Sequence, residues 1–371
     1  MRWTFPFSLL QKSVSPRIEN PTGSQAPSKS GWAVDFLKTI LSSGLSWSTF
    51  VSENLKTWID DFQPAVLYVT PGPNYTELTQ KIANQYGLPV VIHMMDDWPA
   101  SFARQGLLGP YLRWAALKHL RELVRQAHTR MAIGEEMCEE YKKRYGFEFK
   151  AYHNGIEITP QSGLSRPPKE DDSPFQIVYV GSILPEAQLE SLVDASRVIS
   201  NLASEGKRIQ FRIYSPNADT YRTRLQMNSA VRAEAPVTGE EFHEKLRSAD
   251  LLLLPVNFDE PSWRYVRYSL PVKLPYYLLS GTPILVYGPV EVGYITNAVD
   301  EKWGAVVARR DDKTLENAIT DLMRNSALRR QLVERAAQVG LESFDIEKIR
   351  PGFQEALRNA AGNKWSYLSL A

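Results

Sequence analysis

Apolar and polar positions divide the chain into two runs in which predicted strands alternate with predicted helices. In the first run, strands are predicted at 65–69, 89–94 and 129–133, and helices at 76–86, 111–126 and 135–144. In the second run, strands are predicted at 176–180, 209–214, 251–255, 283–286 and 305–307 and near Val231, and helices at 187–202, 239–247, 272–280 and from Leu315 onward. Helical spacing of apolar residues also predicts two helices between residues 32 and 58, before the first strand.

This alternation predicts an α/β fold with parallel sheets, because a helix of 10–15 residues is the usual crossover between parallel strands. Residues 159–174 contain four prolines and little apolar material, which indicates a linker between two doubly wound, Rossmann-like domains that face each other across a cleft. The predicted segments are a loop or disordered stretch at 1–31, a first domain at 32–158, the linker, a second domain at 175–342 and C-terminal helices at 343–371. The first domain can be a shortened version of this fold, and the C-terminal helices can pack back on it.

Charge and composition narrow the function classes. The chain of 371 residues has 43 Lys and Arg against 42 Asp and Glu, so its net charge of +1 gives no general attraction for nucleic acid. Its single cysteine, Cys138, cannot form an internal disulfide, which favours a reducing, cytoplasmic location. The N-terminal ten residues lack the pattern of a signal peptide, and no apolar run reaches the length that spans a bilayer.

The motifs of several enzyme classes are missing from the sequence. It has no G-x-x-x-x-G-K-[ST] loop, no G-x-G-x-x-G fingerprint, no H-E-x-x-H or C-x-x-C pair, no G-x-S-x-G elbow and no D-x-D triplet. We therefore expect chemistry that uses neither a metal ion nor a cofactor.

Three turns at predicted strand ends are candidates for binding, because ligands of open α/β sheets lie beyond the carboxyl ends of the strands. They are His153–Glu157, Gly181 with Ser182, and the segment from Pro271 through Lys273 to Gly281. Lys273 is predicted in the first turn of a helix, where a cation is mildly unfavourable unless a phosphate lies at the same place. Each turn also has an ordinary interpretation: an Asn-Gly turn, a tight strand-to-helix turn, and a solvated lysine.

Taken together, these segments resemble the motifs of GT-B glycosyltransferases, closest to the bacterial glycosyltransferase family 4 enzymes that build surface polysaccharides. The run Pro271-x-Lys273 with Tyr277-Leu278 and Gly281-x-Pro283 is similar to the P-[ST]-K-L-x-[ED]-Y-L-x-x-G-x-P signature of that family. Asn154–Glu157 resembles its N-G-[IV]-D, Ile177–Ser182 its Y-x-G-[RST] strand, and Ala249–Pro255 its A-D-[VL] strand. The order of these elements agrees over residues 64–345.

The resemblance implies a retaining, metal-independent transfer of a hexose from a nucleotide-diphosphate sugar to a glycan or lipid-linked acceptor. In the second domain it assigns Lys273 to the diphosphate and also implies donor contacts for Gly181, Ser182, Asn257, Glu260 and Tyr276. In the first domain, the end of the second strand carries His93, Asp96 and Asp97 as candidate catalytic groups and Trp98 as a candidate acceptor contact. Helix N-capping is an equally good interpretation of the two aspartates.

Two departures from the family pattern leave other functions open. Tyr276 replaces the acidic residue that holds the donor ribose, and Leu184–Glu190 contains no Lys or Arg where many members have a basic pair. A non-catalytic homologue that acts as a scaffold or accessory subunit, or a sugar-nucleotide epimerase, is therefore an alternative. A lipid-linked acceptor would allow peripheral membrane association at the inner face of the membrane, and no nucleic-acid partner is expected.

Overall fold

Two parallel sheets organise the chain, and a computed structural model describes them over residues 51–73, 75–102, 109–158 and 173–362. The predictions for residues 1–50, for most of the linker (159–172) and for residues 363–371 lie outside the described residues. Both sheets belong to one compact unit of the chain. We call the elements up to β4 the first lobe and the elements from β5 to α13 the second lobe.

The first lobe contains a four-stranded sheet in which every pairing is parallel, in the order β1-β2-β3-β4. Its elements are α1 (Glu53–Phe62), β1 (Leu67–Val69), α2 (Thr76–Tyr86), β2 (Val90–Met94), α3 (Trp98–Ser101), α4 (Gly109–Gln126), β3 (Thr129–Ala132), α5 (Glu135–Tyr145) and β4 (Lys150–Ala151). All five residues of β2 are buried, as expected for a central strand covered on both faces.

The second lobe contains a six-stranded parallel sheet in the order β10-β9-β8-β5-β6-β7. Its strands are β5 (Phe175–Val180), β6 (Ile209–Tyr214), β7 (Val231–Glu234), β8 (Leu251–Pro255), β9 (Ile284–Tyr287) and β10 (Ala305–Val307). Its helices are α6 (Leu189–Ser204), α7 (Ala218–Leu225), α8 (Gly239–Ser248), α9 (Glu260–Val266), α10 (Leu274–Leu278), α11 (Gly293–Glu301), α12 (Asp312–Arg324) and α13 (Ser326–Ser343). Two apolar clusters cover its two faces.

The strand order of this sheet reverses between β5 and β8. The chain builds outward from β5 to β6 and β7, then returns to the other side of β5 and continues through β8, β9 and β10. In a doubly wound sheet of this order, the loops that follow the two central strands diverge and leave a crevice at their carboxyl ends. This topological switch point is therefore the place in the second lobe where a ligand site is expected.

The last described helix, α14 (Ile346–Ala361), returns to the first lobe. Ala356 and Ala360 pack against Val91 of β2 and Met131 of β3, on the sheet face opposite to the one that packs on α4 and α5. The chain crosses between the lobes where the backbone of Ile156 pairs with Phe344 and Ile346. Consequently helices cover both faces of the first sheet as well.

Sequence periodicity located the strands more accurately than the helices of the second lobe. β6, β8 and β10 have the predicted bounds, whereas the helix predicted at 272–280 is only the short α10. β4 and the helices α7 and α9 were not predicted, since each is short and carries a weak apolar pattern. Among the described residues, no helix has the length and apolar character needed to cross a membrane.

Candidate functional site

The Lys273 side chain reaches the switch point of the second sheet. Its ammonium donates a hydrogen bond to the carbonyl of Val180, the last residue of β5, at 3.2 Å. It also lies 3.7 Å from the centre of the Tyr179 ring. The ammonium is therefore at the carboxyl end of a central strand, beside the crevice, and not directed into bulk water.

Burial changes the acidity of this group. The Lys273 ammonium has an aromatic ring on one side and a backbone carbonyl on another, and this loss of hydration lowers its pKa from 10.5 to about 7. A partly buried cation that has no carboxylate partner among the described residues is costly, so the position favours an anionic ligand that would share the site. The sequence predicted Lys273 within the first turn of a helix, but it is the N-cap residue of the five-residue α10.

Gly181 follows β5 and leaves room for the lysine. Its φ of 136° lies in a region that favours glycine, and a Cβ atom there would be 3.2 Å from the Lys273 Nζ. Ser182 is exposed, and its carbonyl accepts a hydrogen bond of 2.6 Å from the Tyr179 hydroxyl. The Tyr179 hydroxyl thus anchors the backbone of the turn, and Ser182 itself is left exposed.

Two tyrosines of α10 have different surroundings. The fully buried Tyr277 hydroxyl accepts a hydrogen bond from the Val180 amide at 3.0 Å, which ties α10 to the end of β5. Tyr276 is partly exposed, and its ring lies edge-on to Phe242 at 5.4 Å and near His243 at 5.8 Å, both in the first half of α8. The tyrosine that replaces the expected carboxylate is therefore part of an aromatic group at the carboxyl edge of the sheet.

The other two residues predicted for the donor are placed differently. Asn257 is fully buried, and its amide oxygen accepts hydrogen bonds from the backbone of Glu190 and Ser191, while its amide nitrogen donates to Pro185 and Ser262. These partners use its amide, so Asn257 supports the N-terminus of α6, and the donor contact predicted for it stays a prediction. Glu260 is exposed and forms a salt bridge of 2.5 Å with Arg264 of its own helix.

His93, predicted as a candidate catalytic group, lies inside the first lobe. This residue is only 5% exposed and faces α14, and its ring nitrogens lie 2.7 Å from the Tyr68 hydroxyl and 2.8 Å from the Tyr152 carbonyl. A carbonyl can only accept, so Nε2 carries the proton and Nδ1 accepts from Tyr68. Burial lowers the pKa of His93, and the neutral ring has no free nitrogen for an acceptor hydroxyl.

Asp97 and Trp98 are held by partners within the first lobe. Asp97 is 1% exposed and receives two hydrogen bonds from the Arg144 guanidinium, at 2.7 and 2.8 Å, and one from Tyr141 at 3.0 Å. Its side chain makes no capping bond, so neither proposed role, catalysis or helix capping, fits its geometry. The Trp98 indole donates to the Pro71 carbonyl at 2.8 Å and packs on the first-lobe core, so its ring is a structural contact.

Asp96 is the exposed carboxylate of this loop and lies where the lobes meet. It accepts a hydrogen bond of 2.9 Å from the hydroxyl of Ser269 in the second lobe. Tyr265 of α9 lies within range of the Asp96 charge. Burial, and after it the charges of Asp96 and Glu186, raise the pKa of the Tyr265 phenol. Tyr265 was not predicted as a site residue, and its signal in the sequence is its position on the segment that follows the central strand β8.

A short segment of the second lobe, residues Arg267–Leu270, packs against the first lobe and precedes Lys273 in the chain. We call this segment the strap. Tyr268 and Leu270 pack against the apolar core of the first lobe, and the Arg144 guanidinium lies 5.9 Å from the Tyr268 ring. The Asp97–Arg144 pair and the strap therefore contact each other. This arrangement couples the loop of Asp96 and Asp97 to the segment that carries the lysine.

Within the parts of the chain that the structure describes, no group of three or more His, Cys, Asp or Glu side chains is placed to hold a metal ion. The cation that reaches the loop 184–190 comes from a different element: Arg224 of α7 forms an exposed ion pair of 2.9 Å with Glu190. The positive charge beside this loop is thus supplied by α7, and it is already paired with Glu190.

No model of a known protein family matches the sequence, and no curated protein sequence matches it. The fold is similar to that of sucrose-phosphate synthase from Thermosynechococcus elongatus, with a TM-score of 0.64 and 13% identity over 82% of this chain and 75% of that one. It is also similar to Anabaena HepE, solved in complex with UDP and glucose, with a TM-score of 0.57 and 13% identity over 81% and 80% of the two chains. For trehalose 6-phosphate synthase from Burkholderia multivorans the TM-score is 0.57, with 11% identity over 91% and 78%. The predicted fold, two Rossmann-like parallel sheets in the arrangement of GT-B glycosyltransferases, is thereby confirmed.

Proposed function

We propose that this protein is a glycosyltransferase that moves a hexose from a nucleotide-diphosphate sugar to a glycan or lipid-linked acceptor. One observation carries the proposal: the Lys273 ammonium lies at the switch point of the second sheet, against the carbonyl of Val180. The fold is one that sugar-nucleotide enzymes use, and the HepE structure with UDP and glucose supports a nucleotide-sugar donor in the second lobe.

In this proposal the donor diphosphate binds above Gly181 and Ser182 and contacts Lys273. Negative charge grows on the departing diphosphate as the glycosidic bond breaks, and a preorganised ammonium stabilises that charge. The missing side chain of Gly181 allows the phosphates to approach the backbone. Tyr276 is proposed as the ribose contact, where its phenol offers one hydrogen bond and the rings of Phe242 and His243 fix its orientation. Retention of configuration and independence of metal ions remain part of the proposal through the family resemblance.

The acceptor is proposed to bind at the end of β2, next to Asp96. This carboxylate is exposed, lies between the lobes and, among the contacts described, is bonded only to the hydroxyl of the partly buried Ser269. It is therefore the group of that loop that can orient or deprotonate an acceptor hydroxyl. His93 and Asp97 act on this site indirectly, since they hold β2 and its loop in place.

A non-catalytic role as a scaffold or accessory subunit is the second candidate. It is favoured by the occupied side chains of Asn257, His93 and Asp97 and by the aromatic residue at position 276. A protein with this role would keep the two-lobe fold without binding a donor.

Thermal-shift titration with UDP, GDP and their sugars separates the two candidates. We expect one nucleotide series to raise the melting temperature, because a ligand that binds only the folded state stabilises it by mass action. Lys273→Ala should abolish that rise, and the matched control Lys207→Ala, at an exposed lysine, should leave it intact. The absence of a response to every nucleotide would refute the transferase. With a responding donor, release or transfer of its sugar distinguishes transfer from epimerisation.

A further inference from the structure

Helix α4 carries a row of five exposed side chains along one face. They lie three or four residues apart, which places them in line on a helix, and they are Tyr111, Trp114, Lys118, Arg121 and Arg125. Tyr111 is 64% exposed and Trp114 is 56% exposed, which is unusual for aromatic rings of this size. We call this row the aromatic-basic stripe.

The opposite face of the same helix is fixed in the first lobe. Ala116, Leu120, Leu123 and Val124 are buried there, and the last three pack in the core with β2 and α5. The stripe is therefore a rigid outward surface of a folded helix. Packing within the lobe does not account for its aromatic residues.

The two ends of the stripe differ in chemistry. At the N-terminal end, the Tyr111 and Trp114 rings lie 6.2 Å apart and nearly parallel, and the Lys118 ammonium lies 5.4 Å from the Trp114 ring. At the C-terminal end, Arg121 and Arg125 are exposed, and Arg125 also forms a salt bridge with Glu122. The stripe itself contains no acidic residue.

We infer that the aromatic-basic stripe is a docking surface for an anionic lipid bilayer. Trp and Tyr prefer the boundary between headgroups and hydrocarbon, and a row of Lys and Arg is attracted to anionic headgroups. The overall charge of the chain is only +1, so this attraction comes from the local concentration of cations on one helix face. The inference stands apart from the proposed donor site, which is in the other lobe.

An acidic polymer is the competing occupant, because a groove of about 640 Å³ runs beside the stripe between α2 and α4. The bilayer is favoured because the stripe separates its chemistry along the helix: both exposed aromatic rings, Tyr111 and Trp114, are at the N-terminal end, and the cations follow them. Cations alone suffice to attract an acidic polymer, whereas the boundary of an anionic bilayer accommodates the exposed rings as well.

Docking through this stripe also has a geometric consequence. Since α4 lies in the crossover from β2 to β3, its N-terminal end is on the carboxyl side of the sheet, the same side as Asp96. A bilayer that contacts Tyr111 and Trp114 would therefore lie near the proposed acceptor loop. This placement suits a lipid-linked acceptor.

Vesicle flotation with the full chain tests the inference. Phosphatidylcholine vesicles with and without phosphatidylglycerol are compared at about 50 mM and about 300 mM salt, since attraction to the headgroups should weaken at the higher ionic strength. We expect the protein to bind the anionic vesicles roughly tenfold or more tightly than the neutral ones at low salt. The triple variant Lys118→Glu, Arg121→Glu, Arg125→Glu should lose this preference, and Tyr111→Ser with Trp114→Ser should weaken binding at both salt concentrations.

A matched triple variant controls for net charge. Lys143→Glu, Lys207→Glu and Arg232→Glu make the same change at exposed positions outside α4, and this variant should bind vesicles like the unchanged protein. Circular dichroism checks that each variant is folded. The inference is overturned if the two triple variants behave alike, if no vesicle is bound, or if soluble heparin is bound through the stripe while vesicles are not.

Discussion

Replacement of Lys273 by Met should stabilise the protein while it removes the proposed donor contact. The two side chains have similar lengths, but Met carries no charge into the partly buried position beside Tyr179 and Val180. In the folded protein burial lowers the pKa of the lysine to about 7, whereas the unfolded chain has the ordinary 10.5. Between these two values the unfolded state binds more protons, so the lysine destabilises the fold, and this penalty grows as the pH falls.

The size of the effect follows from the same two values. With about 1.4 kcal/mol for each unit of pKa difference, the penalty is about 5 kcal/mol at pH 6 and about 2 kcal/mol at pH 9. Removal of the ammonium also removes its hydrogen bond to the Val180 carbonyl, at a cost of about 1 kcal/mol that does not depend on pH. The gain in stability from Lys273→Met should therefore be larger at pH 6 than at pH 9 by about 3 kcal/mol.

Melting temperatures of the unliganded protein and the variant at pH 6 and pH 9 measure this difference. Other titrating groups are common to both proteins and cancel in the comparison. The exposed control Lys207→Met should show no pH-dependent difference. If Lys273→Met gives the same change in melting temperature at both pH values, the ammonium is not buried as described, and the argument for an anionic ligand beside it fails.

Three further predictions concern the site and its supports. A bound diphosphate should raise the pKa of Lys273, so calorimetry in buffers of different ionisation enthalpy should detect proton uptake when the donor sugar nucleotide binds. For the same reason the Kd of the nucleotide should rise above pH 7 by up to about tenfold per pH unit. The variant Lys273→Arg should bind the nucleotide without this pH dependence. Asp97→Ala should lower stability by about 3–5 kcal/mol in thermal or urea unfolding, because it leaves Arg144 without its buried partner, and a loss below about 1 kcal/mol would contradict that role. Gly155→Ala should cost about 1–3 kcal/mol, since the new Cβ would lie 2.9 Å from the Ile346 Cα, whereas Gly134→Ala, where a Cβ meets no atom within 4 Å, should change the melting temperature little.

The sequence was most informative where one residue pattern has one structural meaning. Leu251–Pro255 is a continuous apolar run and Ile209–Tyr214 alternates apolar with polar residues; both patterns are typical of strands, and the bounds of both strands could be predicted. A ligand beside Lys273 could be anticipated because a cation in the first turn of a predicted helix is locally unfavourable without an anion. The Asn154-Gly155 turn illustrates the limit: neither residue has a positive φ, and Gly155 is needed because α14 passes against it.

Polar residues at strand ends could not be assigned from the sequence, because the same letters describe a free catalytic group and a satisfied structural one. The partner that decides between them is distant in the chain: Arg144 lies 47 positions from Asp97, and Ser191 lies 66 positions from Asn257. Asp96 and Asp97 are adjacent, yet one faces the gap between the lobes and the other is buried in an ion pair. Only the register of α5 against the end of β2 separates them.

The buried pair formed by Asp97 and Arg144 still bears on function through the strap. Arg144 contacts Tyr268, and Tyr268 precedes Lys273 by five residues in a segment that packs on the first-lobe core. The adjacent Asp96 accepts its hydrogen bond from Ser269 of the same strap. The loop that holds the proposed acceptor group and the segment that holds the proposed donor group are therefore fixed to each other by contacts between the lobes. Since transfer requires two substrates at a defined separation, a change at this ion pair should disturb activity as well as stability, although neither side chain is free to touch a substrate.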